Sequence, residues 1–231
     1  MFVVIFEVAP KPDRRDDYLA HAKTLKPELE RVDGFIDNER FSSKRRPGWM
    51  LSLSTWRDEK ALVRWRTHGG HRAVQKKGRT EIFRDYRIRI GEIIAEGRPP
   101  PPGHGPSQER FDETQAGAAK IMTITERPLP RETLADSDAV GIAARLGGPV
   151  GCEAPGLVEW DAFRNLYRPD HMLLLLGWRD AAAVEQIPPG TAGAATGGAR
   201  QRTVRVIRDY GMHERAEAPQ YYPPVADDRR N

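Results

Sequence analysis

In the first part of the chain, the pattern of apolar and polar residues is typical of a strand in one segment and of a helix in the next. The apolar run FVVIFEV near the N-terminus predicts a strand. In the next segment, KPDRRDDYLAHAKTLKPELERVDG, apolar residues fall on one face of a helix. They are Tyr18, Ala22, Leu25, Leu29 and Val32. Asp13 is predicted to cap this helix, Pro27 to kink it, and Gly34 to end it.

The next elements predict that this unit is a ferredoxin-like fold. FIDNERF and WMLSLSTW read as a hairpin, with SKRRPG as its turn. Asp58 should cap a second helix, which Gly69 and Gly70 should break in two. In the closing strand, DYRIRIGEIIA, Arg87 and Arg89 face away from the apolar residues. The order is therefore β-α-β-β-α-β.

The second part of the chain repeats the first. Met172 starts MLLLLGWRD 122 positions after Met50 starts MLSLSTWRD, and Gly156 follows Gly34 by the same 122 positions. We therefore predict two repeats, 1–96 and 118–215, joined by a Pro/Gly-rich linker at 97–117 and followed by a tail at 216–231. The glycines and polar residues of the linker should keep it out of any core. Pro, Gly and Ala replace the second helix of repeat two. The 188–199 loop is either a lid or, as we favour, decay of a redundant copy.

The four consecutive leucines of MLLLLGW indicate how the repeats pack. A strand that carries leucine on both faces must be covered on both faces. Helices can cover one face of each four-stranded sheet, and the other repeat can cover the second. The predicted fold class is therefore α+β: two βαββαβ repeats packed sheet to sheet as an intramolecular pseudo-dimer. A monomer would suffice, although the tail could mediate further homo-oligomers.

Composition narrows the class of protein. The chain has 231 residues, 39% of them hydrophobic, and its longest apolar run is too short to span a bilayer. The N-terminus lacks the basic region of a signal peptide, so we expect a cytoplasmic protein without a membrane partner. Cys152 is the single cysteine and should be a packing residue. The net charge of +4 favours a solvated basic surface over a nucleic-acid interface, so no nucleic-acid partner is expected.

The run LSLSTWRDEKALVRWRTHGGHRAVQKKGRTEIFRDYRIRIGEI, with ELERVDGFIDNERF before it, resembles the antibiotic biosynthesis monooxygenase (ABM) superfamily. The second repeat looks like a degenerate copy of the same domain. The resemblance implies a dimeric α/β barrel with a pocket between sheet and helices. Some members of this superfamily oxygenate polycyclic aromatics without a cofactor, whereas others bind and cleave haem. The resemblance therefore implies that this chain could have either activity.

The haem-degrading branch relies on an Asn, a Trp and a His. The resemblance places Glu7, Trp65 and Gln75 at these positions, so only the Trp is retained. A Gln amide binds iron poorly, although His71, one turn earlier, could substitute. Haem is therefore a disfavoured alternative, and the expected cofactor set is none.

A cofactor-free oxygenase needs a base, hydrogen-bond donors for a substrate anion, and dry walls. Glu7 could be the base if burial raised its pKa, and His68 or His71 could act nearer neutral pH. The predicted substrate-binding residues are Asn38, Arg40, Trp65, Gln75 and Tyr18.

Each candidate also has a structural interpretation. Glu7 could point outward at a strand end, and Trp65 could be a core residue. His68 and His71 could chelate a metal at i, i+3 spacing, but no third ligand is evident and no metal is expected. Asn38 and Arg40 could form a solvated strand face.

These observations leave three hypotheses. The first is a monooxygenase-like enzyme that oxidises a small aromatic or quinone-like molecule without a metal or flavin. The second is a barrel that binds or senses a small molecule without chemistry. The third is a basic surface that contacts nucleic acid or an acidic partner.

Overall fold

Two β-α-β-β-α-β halves form the chain, as shown by a computed structural model that describes residues 1–97, 110–130, 132, 134, 137–185 and 199–225. The strands are β1 Phe2–Pro10, β2 Phe35–Ser43, β3 Met50–Trp56, β4 Phe83–Glu96, β5 Ile121–Pro128, β6 Leu157–Asn165, β7 His171–Trp178 and β8 Arg200–Gly211. The helices are α1 Arg15–Glu30, α2 Glu59–Thr67, α3 Gly69–Lys77, α4 Ala139–Arg145 and α5 Ala181–Glu185, with a π-helical turn at Gly78–Ile82 and 3₁₀ turns at Pro12–Arg14 and Val150–Cys152. None of the described helices is long and apolar enough to cross a membrane.

All eight strands belong to one closed antiparallel barrel, in the order β1-β3-β2-β6-β7-β5-β8-β4. The two halves meet twice, where Ile88 of β4 lies opposite Tyr210 of β8 and where Phe41 of β2 lies opposite Asn165 of β6. Closure leaves neither sheet with an unpaired edge. The predicted pseudo-dimer is confirmed, with backbone hydrogen bonds joining the edges of the two sheets.

Strand alternation divides the core into an inner and two outer layers. Leu173 and Leu175 point into the barrel, whereas Leu174 and Leu176 pack beneath the helices of the second half. All four are buried, as the leucine run predicts. Cys152 is a free, buried cysteine in that outer cluster, the predicted packing role.

The predicted signals of the second helix are confirmed, whereas α1 ends at Glu30 with Arg31, not Gly34, at its C-cap. Asp58 caps α2, accepting a hydrogen bond of 2.8 Å from the Ala61 amide. The helix breaks at His68, whose ψ of 132° is extended, and α3 begins at Gly69. The prediction that Asp13 caps α1 is wrong. Asp13 lies in the 3₁₀ turn that precedes α1, and Arg14 occupies the N-cap position without a side-chain hydrogen bond.

The end of the linker packs on the barrel, so the prediction that the linker stays out of the core is wrong there. Thr114 is buried, and its amide donates to the Val206 carbonyl at 2.8 Å. Glu217 of the tail accepts from the Thr114 hydroxyl and the Gln115 amide, both at 2.6 Å. The question of a lid at 188–199 lies almost wholly outside the described residues.

Candidate functional site

Two cavities among the described residues lie on opposite faces of the first half's sheet. One, of about 440 Å³, opens at an end of the barrel between the two halves. The other, of about 200 Å³, lies between the sheet and helices α1 to α3. Because side chains alternate along a strand, neighbouring residues belong to different cavities.

Ion pairs between the halves dominate the barrel-end cavity. The Glu7 carboxylate accepts from both Arg46 and Arg89. Arg89 also places Nη2 2.6 Å from Glu159 Oε1, and Arg46 places Nε 2.8 Å from Asp161 Oδ2. These guanidiniums from the first half pair with carboxylates of both halves. The charges therefore hold the two repeats together.

The expectation that Glu7 is a base with a raised pKa is wrong. Burial alone raises the pKa of Glu7, but Arg89 and Arg46 act against it, and the pKa lies below its ordinary value. Glu7 also shares a strand face with Val3 and Ile5, which point into the barrel. It is an ionised partner of two arginines on the face opposite the helices.

The helix-side cavity has largely apolar walls. Even-numbered residues of β1 and β4 form its floor, and α1, α2 and α3 form its roof. Its apolar and aromatic lining includes Val4, Phe6, Leu25, Leu29, Leu62, Trp65, Phe83, Ile88 and Ile90. Trp65 packs against the outer core of the first half as well as lining the cavity, so the core interpretation is met and the substrate-binding role stays a prediction.

A polar strip crosses one wall of this cavity. Asn38 donates to Ser52 Oγ at 3.0 Å and to the Leu53 carbonyl at 3.1 Å, joining β2 to β3. Tyr18 reaches the strip from α1. Burial raises the pKa of Tyr18, while hydrogen bonds to Arg40 and Ser52 lower it, with a net rise. The phenol is therefore neutral at physiological pH.

Arginine supplies the formal charge of the cavity. Arg40 and Arg66 line it, and the Nε atom of each is buried without a hydrogen-bond partner. No Asp or Glu is found among the described residues that line this cavity. Arg46, Arg87 and Arg89 of the barrel-end cavity, by contrast, pair with carboxylates. The helix-side cavity can therefore accept an anionic group.

His71 supplies a basic nitrogen. Its ring stacks on Trp65 at 4.4 Å between centroids, and Nδ1 lies 3.0 Å from the Trp65 carbonyl. Burial lowers the pKa of His71 to about 4. The expectation that His71 titrates nearer neutral pH is therefore wrong, and the ring is neutral at pH 7. Because a carbonyl can only accept, this contact places the proton on Nδ1. Nε2 then keeps a lone pair that can accept a proton from a ligand.

The two other predicted polar residues of these helices differ in position. Gln75 lines the cavity, with Nε2 3.2 Å from His71 Nδ1. His68 does not line it: its side chain is 46% exposed and Nδ1 lies 3.5 Å from Glu28 Oε2. Among the described residues no group of three His, Cys, Asp or Glu could hold a metal ion.

The structure thus brings together six of the eight predicted site residues, namely His71, Asn38, Arg40, Trp65, Gln75 and Tyr18. Their roles stay predictions.

Two residues from the second half were missed by sequence reasoning. Tyr210 of β8 lines the cavity, and Tyr222 of the tail donates to Gln75 Oε1 at 3.1 Å. Tyr210 had a signal, because it ends a second copy, at 208–210, of the RDY found at 84–86 in repeat one. Tyr222 lies in the proline-rich tail and had none. The second half therefore completes the cavity of the first.

Comparison with known proteins identifies the family. Residues 1–77 match the model of the family described as antibiotic biosynthesis monooxygenase. A protein of Pyricularia oryzae named jasmonate monooxygenase ABM is 41% identical over 230 residues, covering 98% of this chain and 100% of the relative. The chain belongs to the antibiotic biosynthesis monooxygenase family. The predicted resemblance to the ABM superfamily is confirmed, and with it the monooxygenase-like class.

Two solved structures match this ABM protein at low similarity. A protein of Lactobacillus acidophilus assigned as a monooxygenase is 9% identical, with a TM-score of 0.38, covering 90% of this chain and 94% of that one. An antibiotic biosynthesis monooxygenase is 20% identical with a TM-score of 0.36, covering 41% of this chain and all of that one.

Haem, which the ABM resemblance raises, does not fit the helix-side cavity. Pockets for drug-sized ligands hold roughly 300–1,000 Å³, and a porphyrin is larger than most such ligands. The cavity offers about 200 Å³. Glu7, which stood at the position of the family's Asn, lies on the other face of the sheet. We therefore derive no step through haem.

Proposed function

We propose that this ABM-family protein is a monooxygenase that oxidises a small, largely apolar carboxylate in the helix-side cavity of the first repeat, without a metal or flavin. One observation carries the substrate class. Arg40 and Arg66 line an apolar cavity whose described lining includes no carboxylate.

The described lining offers neither arginine a carboxylate, and each has a buried Nε atom without a hydrogen-bond partner, so an anionic ligand would supply a partner that the lining lacks. A bound carboxylate would accept hydrogen bonds from the Arg40 guanidinium, and such charge-assisted bonds are about twice as strong as neutral ones. The name of the Pyricularia oryzae relative supports the same class, since jasmonate is a carboxylate with a ketone-bearing ring and a hydrocarbon chain. Arg40 is placed beside Tyr18, a neutral phenol that can donate a further hydrogen bond.

His71 is the proposed base. Its neutral ring can remove a proton from a carbon next to a carbonyl group, and the resulting enolate is electron-rich enough to react with O₂. If the oxidised group is a CH₂, one oxygen atom enters the product as a ketone and the other leaves as water. The substrate then supplies both pairs of electrons that O₂ takes up, so this route needs no external reductant. Apolar walls protect the intermediate from water.

A second candidate substrate class is the aromatic or quinone-like molecule expected from the family resemblance. The observation in its favour is the aromatic lining of the cavity, to which Phe6, Trp65 and Phe83 contribute. Anthrone-like compounds carry a CH₂ beside aromatic rings and a carbonyl group, but they have no carboxylate for Arg40.

The test compares jasmonate with an anthrone at matched concentrations. O₂ consumption and product mass are measured with wild-type protein, with and without a chelator, and no flavin is added. We expect jasmonate to gain oxygen from O₂ and Arg40→Met to raise its KM by roughly 10-fold or more, as the loss of a charged hydrogen bond worth about 1.5–3 kcal/mol implies. Arg84→Met, which removes an exposed arginine of β4, is the matched control.

Three results would overturn parts of this proposal. Equal effects of Arg40→Met and Arg84→Met would remove the carboxylate assignment, and turnover of the anthrone alone would favour the second class. Binding of both compounds with no O₂ consumption would leave the non-catalytic binding barrel.

We also propose that the protein is a monomer. The closed barrel already pairs the strand edges that single-domain relatives would pair between subunits. Light scattering coupled to size-exclusion chromatography tests this proposal. A mass near 26.0 kDa is expected, and a stable dimer would contradict it.

A further inference from the structure

The C-terminal tail packs back over helices α2 and α3 of the first half. Arg79, at the π-helical turn that follows α3, donates to the carbonyls of Met212 at 2.6 Å and Pro223 at 3.3 Å. Arg215 donates to the Gln220 carbonyl at 2.8 Å. Arg79 is buried, so both ends of the tail segment are fixed to an inner part of the molecule.

Tyr222 is the tail residue that reaches the site. The guanidinium of Arg215 lies 5.4 Å from the centre of its ring, and that of Arg79 lies 5.9 Å away. Burial raises the pKa of the Tyr222 phenol, so it is a neutral hydrogen-bond donor at physiological pH. It donates to Gln75 Oε1 at 3.1 Å, and Gln75 in turn places Nε2 3.2 Å from His71 Nδ1.

We propose that Tyr222 is a positioning residue for His71: it holds the Gln75 amide with the NH₂ group toward the imidazole ring and so disfavours a second proton on the ring. This inference rests on the proposed function only where it assigns the neutral ring a use in catalysis. The contact chain from Tyr222 through Gln75 to His71 is independent of that use.

The dipole of the Gln75 side-chain amide determines whether His71 is protonated more easily or less easily. The NH₂ end of an amide is positive and the oxygen end is negative. With Oε1 engaged by Tyr222, the positive end faces His71 and disfavours a second proton on the ring. Without the Tyr222 hydroxyl, the amide is free to turn its oxygen to the Nδ1–H group, and this negative end would stabilise the charged imidazolium more than the neutral ring.

Other groups around the imidazole ring leave its protonation dependent on the orientation of the Gln75 amide. The Trp65 carbonyl favours the protonated ring and His68 disfavours it. The remaining titratable or charged residues that line the cavity from the other elements are Tyr18 and His21 of α1, Arg40 of β2, Arg66 of α2 and Tyr210 of β8. Among the described residues that line the cavity there is no carboxylate to stabilise a charged imidazole.

The test is an NMR titration of His71 in the full-length protein, with its signal assigned by loss in His71→Asn. Tyr222→Phe should raise the pKa of His71 by about half a unit to one unit, the equivalent of one neutral hydrogen bond. Tyr221→Phe is the matched control, because Tyr221 is the adjacent residue and is 86% exposed. It should leave the titration unchanged.

A second variant tests whether Tyr222 acts on His71 through Gln75. Gln75→Leu removes the amide, so adding Tyr222→Phe to it should produce no further shift. The inference is overturned if Tyr222→Phe titrates like the wild type, or if its effect persists in the Gln75→Leu background. Should the protein oxidise nothing while His71 shifts as expected, the proposed function fails and this inference stands. Where turnover is measurable, the acid limb of kcat/KM should move to higher pH together with His71.

Discussion

Replacing Arg89 by methionine tests whether the ion pairs at the end of the barrel hold the two halves together. Arg89 is 2% exposed and contacts Glu7 and Glu159, one from each half. Methionine keeps the length and the apolar part of the side chain. The substitution therefore removes the charge and leaves two partly or fully buried carboxylates short of a partner.

The expected loss of unfolding free energy is about 3–5 kcal/mol, the range for removing one partner of a buried ion pair. For a protein of this size about 1 kcal/mol corresponds to roughly 2–4 °C, so the Tm should fall by roughly 6–20 °C. Adding Glu7→Gln should restore part of the loss, because the uncompensated carboxylate is then gone.

Urea denaturation followed by circular dichroism measures the change, with Arg84→Met as the exposed control on the same strand. The control should stay within about 0.5 kcal/mol of wild type. The pKa of Glu7 is lowered in the folded protein, so the unfolded chain binds the proton more tightly. Its contribution is therefore present above about pH 4.3 and lost as the pH falls through the lowered value. Arg89→Met should weaken this pH dependence. A loss below about 1 kcal/mol would refute the reasoning.

Three further predictions address barrel closure, helix capping and the base. Gly91→Ala should lower the unfolding free energy by about 1–3 kcal/mol in urea denaturation, because the added Cβ would lie 2.5 Å from the Arg205 carbonyl oxygen across the β4–β8 pair. Gly69→Ala is the control, because its Cβ would meet no atom within 4 Å and should not destabilise the fold. Asp58→Ala should cost about 1 kcal/mol in the same assay through loss of the α2 cap, and an unchanged midpoint would contradict the capping role. With the pKa of His71 at about 4, kcat/KM should be flat from about pH 5 to pH 8 and fall below that range as the ring is protonated, so an acid limb near the ordinary histidine value of about 6.5 would contradict a buried base.

The local pattern of apolar residues and helix-capping residues predicts most of the fold. The leucine run of β7 indicated burial on both faces, and Leu173 and Leu174 lie on opposite faces as expected. Asp58 precedes a helical period and caps it. Asp13 also precedes one, but Pro12 stands directly before it and the chain forms a 3₁₀ turn, Pro12–Arg14, before the helix. Competing local signals of this kind are not resolved by spacing alone.

Only part of the site was predicted. Strand alternation shows which residues share a face, but it does not show which of the two faces meets the helices. The sequence shows that Glu7 faces away from Phe6, but not which of the two meets the helices. In the structure Phe6 does, and Glu7 pairs with Arg46 and Arg89 inside the barrel. Tyr222 could not be predicted, because its contact with Gln75 spans 147 residues and depends on the path of the tail.

A crystal structure of the protein with jasmonate tests the central claim, that oxidation takes place between the helices and the sheet of the first repeat. We expect a carboxylate oxygen within hydrogen-bonding distance of the Arg40 guanidinium and the hydrocarbon part between Phe6 and Trp65, with His71 facing the ring. Jasmonate in the barrel-end cavity beside Glu7, or a carboxylate directed away from Arg40, would contradict the account.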